Sequence, residues 1–275
     1  MANRKYVHGY SPTEQDRLVA QAMYWRDLIL LDLEYASGQS VLEIGCGVGA
    51  VLGLIGIQFP GIKLAGVDIQ ESQVEYARKY LPSIGILNAQ LVVSDAAGLP
   101  WPDASFDHIF LIWIIEHLQN PEAVLQEAYR VLKPGGSITL TETDYASITT
   151  YPQSAAYDEY MRQFIKYFNQ HGDAYVGRRL GSLLEKSGFE EVMNRVIGYN
   201  WWNSQHAEKM AAHIDYLMEF IEPLLGEVAR ATGSDLKRLE AGVSYFKSLK
   251  TLPESAISHI FFRAVGWKTA VTGAR

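Results

Sequence analysis

Between Val41 and Ala50 the chain reads VLEIGCGVGA, an apolar run that passes into a turn of alternating glycines and then into a second apolar run. Val41, Leu42 and Ile44 are β-formers bounded by turn residues, the pattern of a strand covered on both faces of a parallel sheet. Gly45, Gly47 and Gly49 alternate with small residues, so the backbone can turn with positive φ and let a ligand approach where no Cβ stands. Ala50 to Gln58 then reads as a helix whose first amides point at that ligand.

The spacing G-x-G-x-G excludes two common phosphate sites. A P-loop needs Gly-Lys-Ser/Thr, and the dinucleotide fingerprint sets its last two glycines two residues apart. Glu43, two residues before Gly45, would repel a pyrophosphate and attract a cationic group. With that acid the motif resembles the first motif, E/D-x-G-x-G-x-G, of the class I S-adenosylmethionine (SAM) dependent methyltransferases.

The next motifs follow in register. Leu64 to Asp68 predicts a second strand with an acid at its tip, about twenty residues after the glycine loop, placed either to accept ribose hydroxyls or to cap the helix that includes Ser72 to Tyr80. A third strand, 89–93, ends in SDAAGLPWPDASFD. Asp95 with Ala96 and Ala97 resembles the motif in which an acid takes the adenine amino group and the next N–H meets a ring nitrogen. Asp107 lies at the wrong end of the fourth strand for a ligand and is expected to be structural. That strand runs to Ile112 and into Trp113-Ile114-Ile115-Glu116-His117-Leu118, where the resembled family often carries Glu-His-Leu. The Asn/Asp-Pro-Pro-Tyr/Phe tetrapeptide of amino-methyltransferases is absent, which disfavours nucleobase or glutamine acceptors.

Pro121 to Leu132 is amphipathic, and LKPGG turns it into a fifth strand, 137–141, as in the UbiE-type branch. Glu142, Thr143 and Asp144 follow at the strand's C-terminal end, either facing a substrate or capping the next segment. Residues 145–169 are rich in rings and predict a helix, with His171 in a polar turn after it. Val176 to Gly188 predicts a further helix, 191–197 a sixth strand, and 259–267 a seventh strand that the family runs antiparallel. The stretch between those last two strands, which includes Trp201, Trp202, His206 and His213, predicts two amphipathic helices over 207–232 and 236–250. They form either an acceptor-site cover or a dimer face.

The fold expected is therefore α/β, a Rossmann-like seven-stranded mixed sheet with six parallel strands and one antiparallel, helices on both faces and a helical cap. Its parts would be an N-terminal lid helix over 1–36, a SAM-binding core over 37–198 and 259–275 with an aromatic-rich helical insertion at 145–175, and a cap over 199–258. Ser11, Pro12 and Glu14 form a helix start for a helix from 11 to about 34. Tyr10, just ahead of it, is either part of the lid or a structural ring.

The resemblance implies SAM as cofactor, held by Glu43, Gly45, Cys46, Gly47, Gly49, Asp68, Ile69, Gln73, Asp95, Ala96, Ala97, Ile112 and His117. His117, Tyr10 and Asp144 are the candidate catalytic residues. His117 would act as a base or acceptor-orienting group, or else is a hydrogen-bonded histidine of the packing. The activity implied is methyl transfer to an O, N, S or C atom of a small molecule. A SAM-binding regulator without turnover and a protein or peptide methyltransferase are the alternatives.

Composition narrows partners and compartment. A formal charge of −7 with no Lys/Arg cluster argues against nucleic acid. One cysteine, Cys46, allows no internal disulfide and no thiolate metal cluster, and fits reducing, cytoplasmic conditions. No apolar run approaches the roughly eighteen residues of a membrane span. His206 and His213 lie seven apart, too far for a helical metal pair, so no metal is expected; a homodimer through the cap is a further expectation.

Overall fold

The computed structural model describes residues 10–269; the outer ends of the lid and core ranges, 1–9 and 270–275, lie outside the described residues. Its centre is a sheet of β1 (Ser40–Ile44), β2 (Lys63–Asp68), β3 (Gln90–Val93), β4 (Phe106–Ile112), β5 (Leu132–Tyr151), β6 (Glu190–Trp202) and β7 (Ala256–Trp267). The spatial order is β3-β2-β1-β4-β5-β7-β6. Strands β1 to β5 pair parallel, and β7 runs antiparallel between β5 and β6, so six strands share one direction. Every residue of β1 is buried, as a strand covered on both faces requires.

Each face has its own apolar core. Val41, Val48, Leu52, Ile55 and Phe110 pack with α1 (Pro12–Tyr24), α2 (Arg26–Leu30), α3 (Ala50–Gln58) and α4 (Glu71–Ser83). Leu42, Ile44, Ile109 and Leu140 pack with α5 (Pro121–Val131), a 3-10 turn at Val176–Arg179 and α7 (Leu180–Lys186). Between these lies α6 (Ala155–Phe168), and α8 (Asn203–Ile221), α9 (Leu225–Thr232) and α10 (Leu236–Ser248) complete the helices.

Local signals placed several boundaries. Ser11 accepts the Glu14 amide at 3.2 Å and starts α1, and Asn120 accepts the Ala123 amide at 3.2 Å to start α5. Asp107 is structural: it accepts the Ser40 amide and pairs with Lys133, both at 2.8 Å.

Elsewhere the structure corrects the sequence reading. The helix expected from 11 to about 34 breaks at Trp25, with φ −96° and ψ 18°, where the indole turns inward against Phe261. The helix expected over 145–169 begins only at Ala155, because β5 continues to Tyr151. Tyr199 to Trp202, assigned to the helical cap, instead end β6, and β7 starts at Ala256 rather than His259. The helix expected at Val176 opens as a 3-10 turn and becomes α only at Leu180. Pro223 splits the expected 207–232 helix into α8 and α9.

The strand corrections have one cause. β4 ends at Ile112, opposite Thr141, while β5 goes on pairing with β7 from Glu142 to Tyr151, and β6 follows β7 to Trp202. The three strands thus form an antiparallel arm beyond the parallel sheet. α6 leaves β5 there, α8 leaves β6, and α10 leads back into β7.

Candidate active site

The sheet reverses its winding between β1 and β4, and the crevice outside their carboxyl ends is where open α/β sheets take ligands. One wall is the glycine loop. Gly45, Gly47 and Gly49 have φ of 76°, 46° and 76°, in the left-handed region. The amides of Gly45 and Cys46 both donate to Val67 O, tying the loop to the end of β2. A Cβ on Gly45 would stand 2.8 Å from Ile114 Cγ1, whereas one on Gly47 would meet no protein atom within 4 Å. Gly47 therefore faces open space. Gly49 starts α3 with no side-chain cap, which leaves the first amides of the helix toward that space.

Asp68 ends β2 with both oxygens engaged: Oδ2 accepts the Gly47 amide at 2.9 Å and Oδ1 the Gln70 amide at 2.8 Å. Burial raises its pKa, and the Gln70, Gly47 and Ile69 amides hold part of that rise down. Tyr10 sits beside it; burial and the Asp68 charge raise the phenol pKa, and its hydroxyl interacts with the Gln70 side chain. Glu43 is buried beneath the loop, and its Oε2 has no hydrogen-bond partner. Desolvation drives its pKa well up, the Leu52 amide opposes this, and the nearby Asp68 charge adds to the rise. Cys46 is buried and packs where a Cβ on Gly66 would collide with it.

Gln73 is buried too, with its Oε1 taken by Gln15 Nε2 of α1 at 3.0 Å, so it fastens the N-terminal helix to α4. Ile69 is 57% exposed above Asp68. Asp95 is exposed at the end of β3 and accepts the Ala97 amide at 2.9 Å, which shapes the Asp95-Ala96-Ala97 turn. Ile112 is buried at the end of β4.

The opposite wall is the chain leaving β4. Trp113 takes φ of 53°, unusual for a ring-bearing residue, and Ile115–His117 form a 3-10 turn. Glu142, expected to be exposed or to cap the next segment, is fully buried. Its Oε1 accepts the amides of Ile114 at 3.0 Å and Ile115 at 2.7 Å, which fixes this turn against β5. Glu116, which sequence reasoning left without a role, is buried beside it and accepts the Tyr145 hydroxyl at 3.1 Å. His117 is 23% exposed, with Nε2 3.3 Å from Glu116 Oε1 and its ring 5.7 Å from that of Phe168.

Asp144 does not face this space freely. It is buried in a two-point ion pair with Arg178, at 2.9 and 3.0 Å, and also accepts the Ala146 amide. His171 packs against Tyr167, and its loop is pinned back by the Asp173 amide, which donates to Glu116 O at 2.8 Å. His206 and His213 do not converge: His206 stacks edge-on to Trp202, while His213 is buried against His259 at 3.3 Å. No group of three possible ligands for a metal ion occurs among the described residues. The crevice thus brings together Tyr10, Glu43, Gly47, Asp68 and the 113–117 turn, and leaves Asp144 and His171 tied elsewhere.

This arrangement, a glycine loop and a strand-end acid at the switch point of a 3-2-1-4-5-7-6 sheet, defines a class I SAM-dependent methyltransferase fold. Residues 42–140 match the family model described as "Methyltransferase domain". That segment runs from β1 through β4 and reaches into β5, the part of the sheet that carries the glycine loop, Asp68 and Asp95. The chain is 29% identical over 237 residues to demethylmenaquinone methyltransferase of Staphylococcus aureus, covering 83% of this chain and 92% of that one. An uncharacterized 37.1 kDa protein of a Streptomyces fradiae transposon is 31% identical over 170 residues; the match covers 61% of this chain and spans about half, 48%, of the relative's length. Among solved structures, phosphoethanolamine N-methyltransferase 2 of Haemonchus contortus, in complex with phosphomonomethylethanolamine and S-adenosylhomocysteine, shares the fold with a TM-score of 0.62 and 17% identity, over 98% of this chain and 61% of that one. No helix of the described residues is long and apolar enough to cross a membrane.

Proposed function

We propose that the protein transfers the methyl group of SAM to a nucleophilic atom of a small-molecule acceptor. The observation that carries this reading is the cradle at Gly47: a positive-φ glycine facing open space, its amide held by Asp68, above the partnerless carboxyl oxygen of Glu43. The residues fit the cofactor. Glu43 offers a buried acceptor to the ammonium of the methionine end, and the free amides of α3 suit its carboxylate. Asp68 keeps lone pairs for the ribose hydroxyls after accepting its two amides, and the Asp95–Ala97 turn meets the adenine, with Ile69, Ile112, Cys46 and Gln73 around it.

The bound cofactor supplies a methyl group already activated by its sulfonium. The chain has to hold the acceptor in line, exclude water and receive a proton where the acceptor carries one. His117 is the base in this reading and Tyr10 closes the site from the N-terminal side, with α1 as lid and α8, α9 and α10 as cap. A cover of buried rings, Tyr145, Phe164 and Phe168 with Phe220 against them, supports an enclosed small acceptor over an open peptide groove. The relatives point the same way, since demethylmenaquinone and phosphomonomethylethanolamine are both small molecules.

Calorimetry tests the cofactor half, with SAM and S-adenosylhomocysteine expected to bind and NAD and ATP not. Turnover of SAM with a panel that includes a naphthoquinol and phosphoethanolamine tests the acceptor half. Tight NAD binding without a response to S-adenosylhomocysteine would overturn the reading.

A further inference from the structure

Trp113 departs from the pattern of its own strand. Phe110 and Ile112 of β4 join one core of the sheet, Ile109 and Leu111 the other, so alternation would send Trp113 to the side of Leu111. The left-handed φ of 53° reverses this: Trp113 packs on the Phe110 side and Ile114 on the Leu111 side. A bulky residue keeps such a conformation only where its surroundings impose it. Here three successive amides are held by two successive residues of β5. Trp113 N donates to Thr141 O at 3.0 Å, and Glu142 Oε1 accepts the amides of Ile114 and Ile115 at 3.0 and 2.7 Å.

The reversal delivers an indole to the side of the sheet on which Tyr145, Phe164, Phe168 and Phe220 lie. Those rings have partners: Tyr145 packs on Phe168 and Phe220, and the other ring of the turn, His117, lies 5.7 Å from Phe168. Trp113 is half-buried, yet no ring of a described residue packs face or edge against it, and its Nε1–H donates to no described residue. Trp101 also has an unpaired indole N–H, but that one is sealed in the interior, whereas that of Trp113 is open. Ile114, the next residue, stands against the glycine loop, where a Cβ on Gly45 would come within 2.8 Å of its Cγ1. One dipeptide thus buttresses the loop with one side chain and presents an indole with the other.

We propose that Trp113 contacts the methyl acceptor, and that its indole selects a flat, unphosphorylated molecule that stacks on the ring and brings an oxygen to Nε1–H. The proposal rests on the reading of the chain as a small-molecule methyltransferase. An indole offers a π face and a single donor, and a flat ring with an oxygen at its edge uses both at once. A phosphate finds less here. Arg17 is held at two points by Glu14 and Arg178 at two points by Asp144. The buried side chains behind the turn, Glu116 and Glu142, are acids that give an anion no partner.

The test uses the whole chain saturated with S-adenosylhomocysteine and labelled with 15N at the indoles of its six tryptophans, the Trp113 signal being assigned by its loss in Trp113→Phe. The probes are 1-naphthol, which is flat and carries one oxygen, and phosphoethanolamine. 1-Naphthol should move the Trp113 indole signal in a saturable titration, and phosphoethanolamine should leave it in place. Asparagine is at ease at positive φ, so Trp113→Asn should keep S-adenosylhomocysteine affinity within about twofold of the parent and lower 1-naphthol affinity by about tenfold or more. Trp113→Phe, which keeps a ring and loses the donor, should fall between the two. A Trp113 signal that 1-naphthol leaves unmoved, a saturable shift with phosphoethanolamine instead, or a Trp113→Asn variant that loses cofactor and 1-naphthol affinity by the same factor would each overturn the proposal. Failure of the parent to bind S-adenosylhomocysteine overturns the methyltransferase reading itself, whereas a silent Trp113 in the cofactor-bound chain overturns only its role at the acceptor.

Discussion

Asp68 Oδ2 accepts the backbone N–H of Gly47 at 2.9 Å, a bond that joins the tip of β2 to the glycine loop 21 residues earlier. One carboxylate therefore shapes the loop and presents its remaining lone pairs to the crevice. Asp68→Ala should weaken binding of S-adenosylhomocysteine by about 1 to 3 kcal/mol, since it strands the Gly47 and Gln70 amides as well as the ribose hydroxyls. Calorimetry on the folded variant decides this, and parental affinity would remove Asp68 from the site.

The glycines of the loop should separate by what a methyl group meets. Gly47→Ala adds a Cβ into open space, so its cost to the fold should be the left-handed strain alone, about 1 to 2 kcal/mol. Its cofactor affinity should fall at least about tenfold, because the methyl stands where the ligand lies. Gly45→Ala pushes on Ile114 and should lose more stability than Gly47→Ala. Thermal melts read the first difference and titration with S-adenosylhomocysteine the second.

His213 and His259 give a pH signature. Tyr24 shares a hydrogen with His213 Nδ1 at 3.2 Å, His213 Nε2 meets His259 Nδ1 at 3.3 Å, and His259 Nε2 is left unpaired in the interior. Burial lowers His213 to about 3; burial and the neighbouring His213 lower His259 as well. The unfolded chain takes up these protons first, so stability is full above about pH 6.5 and falls as the pH drops toward the folded values, by about 1.4 kcal/mol per pH unit for each group. Urea midpoints of the parent and of a His213→Leu, His259→Leu double variant should converge as the pH is lowered from 7 to 5. A constant gap would show that the folded chain takes up these protons over the same pH range as the unfolded one.

Arg263 is buried, and among the described residues no carboxylate pairs with it. Its guanidinium donates instead to the carbonyls of Leu28, Ile29 and Leu31 at the end of α2 and to Thr141 Oγ1. Arg263→Met keeps the stem and strands those acceptors, and should cost about 2 kcal/mol or more. Because α2 lies over the sheet and away from the crevice, cofactor affinity measured on the folded fraction should change little. A variant as stable as the parent would mean that those carbonyls find other donors.

What the sequence determined by itself was the part whose causes are local. The β1, glycine loop and α3 unit follows from an apolar run, three residues free to take positive φ, and a second apolar run; the Ser11 and Asn120 caps act within three residues. Asp68 at a strand tip and Asp95 before two alanines were legible for the same reason, since strand end and turn are adjacent in the chain.

Tertiary structure decided the rest, because the partners are far apart. The extension of β5, β6 and β7 depends on pairing between segments that join only in the sheet, so Tyr145 to Tyr151 and Tyr199 to Trp202 read as helix or cap until β7 lies between them. Asp144 looked available at a strand end until Arg178, 34 residues on, closed on it. Glu142 carried no signal as the anchor of the 113–117 turn, since only the pairing of β5 beside β4 brings its carboxyl to the Ile114 and Ile115 amides. Burial and long-range pairing are properties of the folded chain as a whole, which is why a reading built on neighbours and periodicity finds the glycine loop and misses the polar interior beside it.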